Sequence, residues 1–306
     1  MKISVIGAGN VGSLTAMRLV QEGLGDVVLI DVVNGLAHGK ALDLEDTRPL
    51  LKYNYNIKGS QDIADIKDSG LVIITAGLAR KPGMTREELL AKNSSILKDI
   101  CLKIKELAKS AIVLVVTNPL DVMTYYVLKA TGFKSSKVFG MGVSLDSARF
   151  TNIISQELNI PNTDIEAMVI GSHGEGMLPL AGLAKVKGVP LDEFIDEEKA
   201  AHLVKRTIGR GAEIVANLGT GSAFFAPSAA ILAITRAIVK DEKKTIPVCA
   251  YLNGEYGVKG SCIGVPCRLG KNGIEAVIEL DLEQQLKDKL LACAGSVRDS
   301  AQQLGV

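Results

Sequence analysis

The sequence of 306 residues has no tryptophan, only three histidines, no excess of charge of one sign and no long hydrophobic run. Its 35 Lys and Arg residues balance 34 Asp and Glu residues. This balance argues against nucleic-acid binding, because a nucleic-acid surface needs a basic stripe. The longest apolar stretch, residues 223–234, is shorter than the ~20 residues of a membrane helix and contains Pro227 and Ser228. We therefore expect neither a nucleic-acid partner nor a membrane.

Five cysteines are spread along the chain without a pattern that would pair them or bind a metal: Cys101, Cys249, Cys262, Cys267 and Cys293. Their number is odd, none belongs to a C-x-x-C motif, and no histidine lies near the two that are closest in sequence. Neither a disulfide framework nor a metal site is expected. Free thiols are typical of a reducing compartment, and the first ten residues hold too short an apolar run for a signal peptide. We therefore expect a cytoplasmic protein.

The first part of the chain, residues 1–142, alternates short β-branched runs with helical stretches. Strands are predicted at residues 3–6, 27–30, 71–75, 112–116 and 138–139, and helices at 11–22, 35–46, 86–109 and from Pro119. Continuous apolar strands between helices are typical of a parallel sheet that is covered on both faces. With right-handed crossovers, these elements predict an α/β domain with a doubly wound sheet of the Rossmann type.

The second part of the chain, residues 143–306, mixes helices and strands in a less regular order. Helices are predicted at residues 145–158, 192–209, 227–239 and from Leu282, and strands at 166–170, 246–252, 261–265 and 274–278. This order predicts a second domain of the α+β class.

A glycine-rich turn, GAGNVG at residues 7–12, directly follows the first predicted strand and opens the first helix. Gly7 permits a tight turn, Gly9 lets a pyrophosphate approach the backbone, and Gly12 lets the helix pack closely on the sheet. Asp31 ends the next predicted strand, 19 residues after Gly12, where an acid binds a ribose diol and repels a 2′-phosphate. The motif predicts a dinucleotide site and favours NAD over NADP. The contacts predicted from the turn are Gly7, Ala8, Gly9, Asn10, Val11 and Gly12.

Three further segments carry polar residues in loops or on helix faces: residues 76–89 (AGLARKPGMTREEL), 145–150 (LDSARF) and 171–180 (GSHGEGMLPL). His173 stands in a glycine-rich loop, whereas His38 and His202 lie in predicted helices. Histidine exchanges protons near neutrality, so His173 is either an acid–base residue or a structural histidine. Asp146 and Arg149 are three residues apart and share a helix face, as they also would in a simple surface ion pair.

Together with GAGNVG and with VTNPLD at residues 116–121, these segments resemble the lactate/malate dehydrogenase family, in the same order along nearly the whole chain. The string A-R-K-P-G-M-x-R is similar to the malate branch of bacteria and archaea. The resemblance implies an NAD-dependent dehydrogenase that interconverts the small molecules (S)-malate and oxaloacetate, with the substrate bound by residues 143–306. It also implies a homotetramer or a homodimer and no metal.

The resemblance also implies a role for each matching residue. His173 would be the acid–base residue, held by Asp146, and Arg149 would bind the C1 carboxylate. Arg86 would polarise the ketone oxygen, and Arg80 would pair with the second carboxylate, which oxaloacetate has and pyruvate lacks. The implied cofactor contacts are Asn93, Val116, Thr117 and Asn118, the last of which also contacts the substrate. Ser172 and Glu175 depart from the family pattern around the histidine and leave its local tuning open.

Three other functions fit parts of the sequence. A lactate dehydrogenase would carry a neutral residue in place of Arg80. A glycosidase of the NAD-and-metal type shares this fold but has a cysteine where Thr117 stands. A non-catalytic NAD sensor would not need Asp146, Arg149 and His173 together.

Overall fold

The computed structural model describes residues 1–78 and 84–305, apart from the side chain of Arg86. The first part of the chain contains, in order, β1 (Lys2–Ile6), α1 (Asn10–Gln21), β2 (Asp26–Ile30), α2 (Leu36–Asp46), α3 (Arg48–Leu51), β3 (Ile57–Ser60), β4 (Leu71–Ile74), α4 (Arg86–Leu107), β5 (Ile112–Val115), α5 (Leu120–Thr131) and β6 (Val138–Gly140).

The strands of this part form a parallel sheet in the order β3-β2-β1-β4-β5-β6. β1 lies in the middle of this sheet, with β2 and β3 on one side and β4, β5 and β6 on the other. This order is that of a doubly wound sheet, in which ligands bind at the carboxyl ends of the strands, at the point where the strand order reverses between β1 and β4. Every residue of β4 and β5 is buried, as helices on both faces require. The predicted fold class is confirmed.

The second part of the chain contains, in order, α6 (Val143–Leu158), β7 (Ile165–Glu166), β8 (Val169–Gly171), β9 (Met177–Pro179), β10 (Lys185–Val186), β11 (Val189–Pro190), α7 (Glu197–Leu218), α8 (Phe225–Val239), β12 (Lys244–Asn253), β13 (Lys259–Gly270), β14 (Gly273–Val277) and α9 (Gln284–Gln302).

The large sheet continues from the first part of the chain into the second. β12 pairs antiparallel with β6 through Cys249 and Gly140, and β13, β8 and β9 follow in order, with β14 also on β13. β7, β10 and β11 form a separate small sheet. Because β8 joins the large sheet, the loop that follows it lies next to the segment after β6: a Cβ on Gly142 would be 3.5 Å from the Cβ of His173.

Three local predictions differ from the structure. β3 was not predicted, because it is a four-residue edge strand in which only Ile57 is buried. The strand predicted at 166–170 is divided between β7 and β8, which belong to different sheets. The helix predicted at 192–209 begins only at Glu197, because Asp196 caps it by accepting the Lys199 N–H at 2.8 Å. That helix then continues through Gly209 to Leu218.

Helices bury the faces of the sheet. Phe139 of β6 and Phe150 of α6 are among the largest side chains with no exposed surface. Among the helices of the described residues, none is both long and apolar enough to cross a membrane.

Candidate active site

The glycine-rich turn connects β1 to α1 at the carboxyl end of the parallel strands. Gly7 has a φ of 105°, and a Cβ there would lie 2.7 Å from Ala76 N. A Cβ on Gly12 would collide with Gly7 O, whereas one on Gly9 would meet no atom within 4 Å. No side chain of the described residues caps the first N–H groups of α1. The turn is therefore tight on its protein side and open beside Gly9, an arrangement that fits a phosphate group.

Asp31 follows β2 and connects its end to the glycine turn. Its Oδ2 accepts the Ala8 N–H at 2.6 Å, and its Oδ1 accepts the Val33 N–H at 2.9 Å. Each carboxylate oxygen retains a second lone pair for a ligand hydroxyl. Lys40 of α2 donates to Ala8 O at 2.7 Å and to Ser13 Oγ at 3.0 Å. This cation beside the turn was not predicted, because a lysine in a charged helix carries no signal of its own.

Asp146, in the first turn of α6, connects the predicted acid–base residue His173 with Arg149, which was predicted to bind the substrate. Its carboxylate is completely buried. Oδ2 lies 2.7 Å from His173 Nδ1, and Oδ1 accepts a hydrogen bond from Arg149 Nη1 at 3.1 Å. The helical spacing brings Arg149 to Asp146, and the sheet brings the His173 loop to both. One buried carboxylate thus orients an imidazole and a guanidinium side by side.

The surroundings of His173 favour its protonated form. Burial lowers the pKa of the imidazole, but the charge of Asp146 and its hydrogen bond to the ring raise it, and the charge of Asp121 raises it further. Arg149 opposes these carboxylates, and the pKa of His173 is raised above its ordinary value. The side chain of His173 keeps 16% of its surface exposed, so it can reach a ligand.

A cleft of about 540 Å³ opens over His173 and Arg149. The predicted site residues that line it are Val11, Val116, Thr117, Asn118, Arg149 and His173. Its opposite wall includes Gly211 of α7 and the small side chains of Ser222 and Ala223. The cleft therefore joins the carboxyl edge of the parallel sheet to the predicted catalytic side chains, and its volume suits a small-molecule ligand.

Asn93 and Thr117 bind the main chain next to the cleft. Asn93 is fully buried; its Oδ1 accepts the Leu78 N–H at 2.8 Å, and its Nδ2 donates to Asn118 O at 2.7 Å. Thr117 Oγ1 donates to Ala76 O at 2.6 Å. These bonds connect the segments that follow β4 and β5, and they hold Asn118 where its exposed side chain meets the cleft.

The two arginines predicted in segment 76–89 have no described side chains. Arg80 lies outside the described residues, and Arg86 is described only as the first residue of α4. A capping box fixes the start of that helix: Thr85 Oγ1 accepts the Glu88 N–H at 3.1 Å, and Glu88 Oε2 accepts the Thr85 N–H at 3.2 Å.

Comparison with known proteins shows two family matches that together cover nearly the whole chain. Residues 1–140 match the NAD-binding domain of lactate/malate dehydrogenases, and residues 143–304 match their α/β C-terminal domain. The chain belongs to the lactate/malate dehydrogenase family.

Individual members of the lactate/malate dehydrogenase family are similar over their full length. The malate dehydrogenase of Methanosarcina acetivorans is 50% identical over 305 residues, which cover 100% of this chain and 99% of that protein. The solved malate dehydrogenase of Salinibacter ruber has a TM-score of 0.95 at 40% identity and covers 100% of this chain, with 98% of its own chain matched. The Cryptosporidium parvum lactate dehydrogenase in complex with lactic acid and nicotinamide adenine dinucleotide has a TM-score of 0.96 at 38% identity, covering 99% of this chain and 98% of its own.

Asp121 ends the VTNPLD segment, but the sequence indicated no role for it in the site. It lies in the first turn of α5, is 5% exposed, and accepts the His173 N–H on Oδ2 at 2.8 Å. From sequence, an acid in the first turn of a helix reads as a favourable charge for the helix dipole. Only the fold shows that it lies beneath the histidine loop.

Proposed function

We propose that the protein is an NAD-dependent malate dehydrogenase, which interconverts (S)-malate and oxaloacetate. The observation that carries this proposal is the buried carboxylate of Asp146, which holds His173 and Arg149 together at a cleft beside the glycine turn. The identity of 43–50% to malate dehydrogenases over 97–100% of the chain supports malate as the substrate.

The direct test is a spectrophotometric assay with NADH and oxaloacetate. NADH absorbance is expected to fall at a rate proportional to the protein concentration. A rate no higher than that without an oxoacid would rule the proposal out.

The proton moves through His173. Asp146 engages Nδ1, which leaves Nε2 to donate a proton to the carbonyl oxygen of oxaloacetate or to accept one from the hydroxyl of malate. Asp146 stabilises the imidazolium and fixes its orientation. Because the Nδ1 contact is buried, the ring can exchange its proton only on the cleft side.

The arginines bind the charges of the substrate. Among the described residues Asp146 bonds Nη1 of Arg149, which leaves Nη2 and the second N–H of Nη1 for the C1 carboxylate, a group that a planar fork can bind in a bidentate manner. Arg149 Nε is buried without a hydrogen-bond partner among the described residues. We assign Arg86 to the developing charge on the ketone oxygen and Arg80 to the C4 carboxylate.

The residues of the first part of the chain fit a dinucleotide cofactor. The open space beside Gly9, the uncapped start of α1 and the carboxylate of Asp31 match a pyrophosphate and a ribose diol. Bound NAD supplies the hydride acceptor, or NADH the donor. The residues that would hold its phosphates are Gly7, Ala8, Gly9, Asn10, Val11 and Gly12, and those that would meet its nicotinamide end are Val116, Thr117 and Asn118. Asn93 would act there by holding Asn118 in place.

A lactate dehydrogenase is the second candidate, because the lactate dehydrogenase of Cryptosporidium parvum is as similar in structure as the malate dehydrogenases are. Two features favour the four-carbon diacid. Arg80 provides a positive charge for its second carboxylate, and Ser222 and Ala223 leave room for the longer substrate at the cleft wall.

Cofactor choice is expected to follow the charge of Asp31. The unmodified enzyme should use NADH at least ~10-fold better than NADPH in kcat/KM, since like charges placed together are strongly unfavourable. Asp31→Ser should narrow this gap by easing NADPH binding. Asp31→Asn is the matched variant, because it also removes the charge but keeps an acceptor for the Ala8 N–H. Equal use of both cofactors by the unmodified enzyme would contradict this assignment.

The two reaction directions are expected to have opposite pH dependences. Oxaloacetate reduction needs imidazolium, so its kcat/KM should fall as the pH rises through the pKa of His173. Malate oxidation needs neutral imidazole, so its kcat/KM should rise as the pH rises through the same pKa. Because Asp146 and Asp121 raise this pKa, the shared midpoint should lie above the ordinary histidine value of 6.5. Profiles that run in the same direction would show that another residue carries the proton.

We further propose that the two domains meet at residues 142 and 143, and that the cytoplasmic enzyme is a homotetramer or a homodimer. The family matches end at residue 140 and begin again at residue 143, which supports this boundary. Light scattering of the purified protein measures the oligomeric state.

A further inference from the structure

Lys40 of α2 lies beside the glycine turn, and its half-buried side chain reaches the main chain of that turn. Its Nζ donates to Ala8 O at 2.7 Å and to Ser13 Oγ at 3.0 Å. Ser13 Oγ in turn donates to the same carbonyl at 2.9 Å. The Ala8 carbonyl therefore has two donors, one of them charged, and α2 fixes its direction together with α1.

The other side of Ala8 is held by Asp31. Oδ2 of this residue accepts the Ala8 N–H at 2.6 Å, and Ala8 itself is completely buried. The two peptide groups that meet at Ala8 thus each have a charged partner, an acid after β2 and a base on α2. Because a turn rich in glycine has little stiffness of its own, these contacts set the orientation of its peptide groups.

The direction of the Ala8 carbonyl determines where the next N–H points. Ala8 O and the Gly9 N–H belong to one planar trans peptide group, so they point in opposite directions. Lys40 and Ser13 hold the carbonyl, and the Gly9 N–H therefore points away from both of them. It has no hydrogen-bond partner among the described residues, and a Cβ on Gly9 would meet no atom within 4 Å. This N–H is thus available to a ligand on the open side of the turn.

The charge of Lys40 is not matched by a carboxylate. None of the ion pairs formed by the described residues includes Lys40, whose two partners are neutral oxygens. The first turn of α1 contains no acidic residue either. The ammonium and the dipole of α1 therefore both contribute positive potential at the start of this helix, where a diphosphate would be stabilised.

We infer that Lys40 is a positioning residue of the dinucleotide site: it holds the Ala8 carbonyl so that the Gly9 N–H faces the cofactor's diphosphate, and its ammonium adds positive charge there. The inference rests on the proposed NAD cofactor, but not on the identity of the oxoacid. Lys40 does not line the cleft over His173, so its effect should be on cofactor affinity rather than on the chemical step.

The experiment titrates NADH into the parent and variant proteins and follows the fluorescence of the bound cofactor. Lys40→Met removes the charge and both hydrogen bonds but keeps an unbranched side chain. Its Kd for NADH should rise ~10-fold, near the lower end of what a hydrogen bond to a charged group contributes. Its kcat at saturating NADH should stay within a few-fold of the parent value. Lys40→Arg keeps the charge and the donors and should recover most of the affinity.

Competition against NADH shows which part of the cofactor depends on Lys40. ADP contains the adenosine and the diphosphate of the cofactor, whereas adenosine contains no phosphate. In Lys40→Met the inhibition constant of ADP should rise by about the same factor as the Kd of NADH, and that of adenosine should equal the parent value. An equal loss of affinity for adenosine would overturn the inference, because Lys40 would then act on the site as a whole.

Lys2→Met is the matched control. Lys2 Nζ also donates to a main-chain carbonyl, Lys67 O at 2.6 Å, but from the amino end of β1, opposite to the glycine turn. This variant should bind NADH and ADP as the parent does. Thermal unfolding of each variant shows whether it is folded. If Lys40→Met is not, Lys40→Gln takes its place, because it also removes the charge and is expected to raise the Kd for NADH.

The outcomes distinguish this inference from the proposed function. An NADH Kd in Lys40→Met equal to that of the parent overturns the inference, whether or not the protein reduces oxaloacetate. A raised Kd in a protein that binds NADH but does not reduce oxaloacetate supports the role of Lys40, while the proposed function fails. A parent protein that binds neither NADH nor ADP overturns both.

Discussion

Replacing Arg80 with glutamine is expected to abolish the preference for oxaloacetate over pyruvate. In the proposed assignment, the C4 carboxylate of oxaloacetate would pair with the Arg80 guanidinium, whereas pyruvate has a methyl group there and would leave that charge unmatched. An unmatched partner in a buried charge pair costs ~3–5 kcal/mol, and ~1.4 kcal/mol is a factor of ten. The variant should therefore lose roughly a hundredfold to a few thousandfold in kcat/KM for oxaloacetate, while kcat/KM for pyruvate holds or rises.

Arg149→Gln is the matched control for this change. Both oxoacids carry the C1 carboxylate, so removing the Arg149 guanidinium should lower kcat/KM for both. Arg149 Nη1 also donates a hydrogen bond to Asp146. Glutamine is shorter and lacks the planar guanidinium, so it is not expected to keep this bond or to bind a carboxylate in a bidentate manner. If Arg80→Gln lowers kcat/KM for the two substrates equally, Arg80 does not discriminate between them, and the malate proposal loses its main support from the sequence.

Replacing His173 with asparagine is expected to lower kcat by ~100-fold or more, the usual size of a general acid–base contribution. The fold should survive this change, because the buried carboxylate of Asp146 keeps its bond to Arg149. NADH binding should also survive, since the glycine turn and Asp31 belong to the other part of the chain. NADH fluorescence measures that binding directly in a protein without tryptophan.

His202→Asn is the control for the loss of a histidine. His202 is exposed on α7, outside the cleft, and the same substitution there should leave kcat unchanged. A near-normal rate in His173→Asn would mean that a different residue exchanges the proton with the substrate.

The parallel sheet could be predicted because its signals are local. Runs such as Ile112–Val115 are apolar throughout and lie between helices, which only a sheet buried on both faces accommodates. β3 gave no such signal, since Lys58 and Gly59 occupy an edge strand that needs burial on one face at most. The end of α7 was also missed: Gly209 and Gly211 suggest a stop by propensity, but the helix continues through both glycines to Leu218.

Site residues that lie together in one motif could be predicted from the sequence, whereas contacts between segments that are far apart in the chain could not. Asp146 and Arg149 share a helix face by spacing alone, but only the sheet brings the His173 loop to them. Asn93 and Asp121 act through main-chain hydrogen bonds to residues 25 and 52 positions away. The family resemblance implied a cofactor contact for Asn93 and no role for Asp121, but no periodicity encodes these main-chain hydrogen bonds, which only the structure shows.

The ratio of kcat/KM for oxaloacetate to that for pyruvate, measured with NADH on the unmodified enzyme, tests the central claim most directly. The assay should be run below the His173 midpoint, where the imidazolium needed for reduction predominates. We expect a ratio of roughly a hundred to a few thousand, set by the pairing of Arg80 with the C4 carboxylate. A ratio near or below one would contradict the malate dehydrogenase proposal and indicate a lactate dehydrogenase.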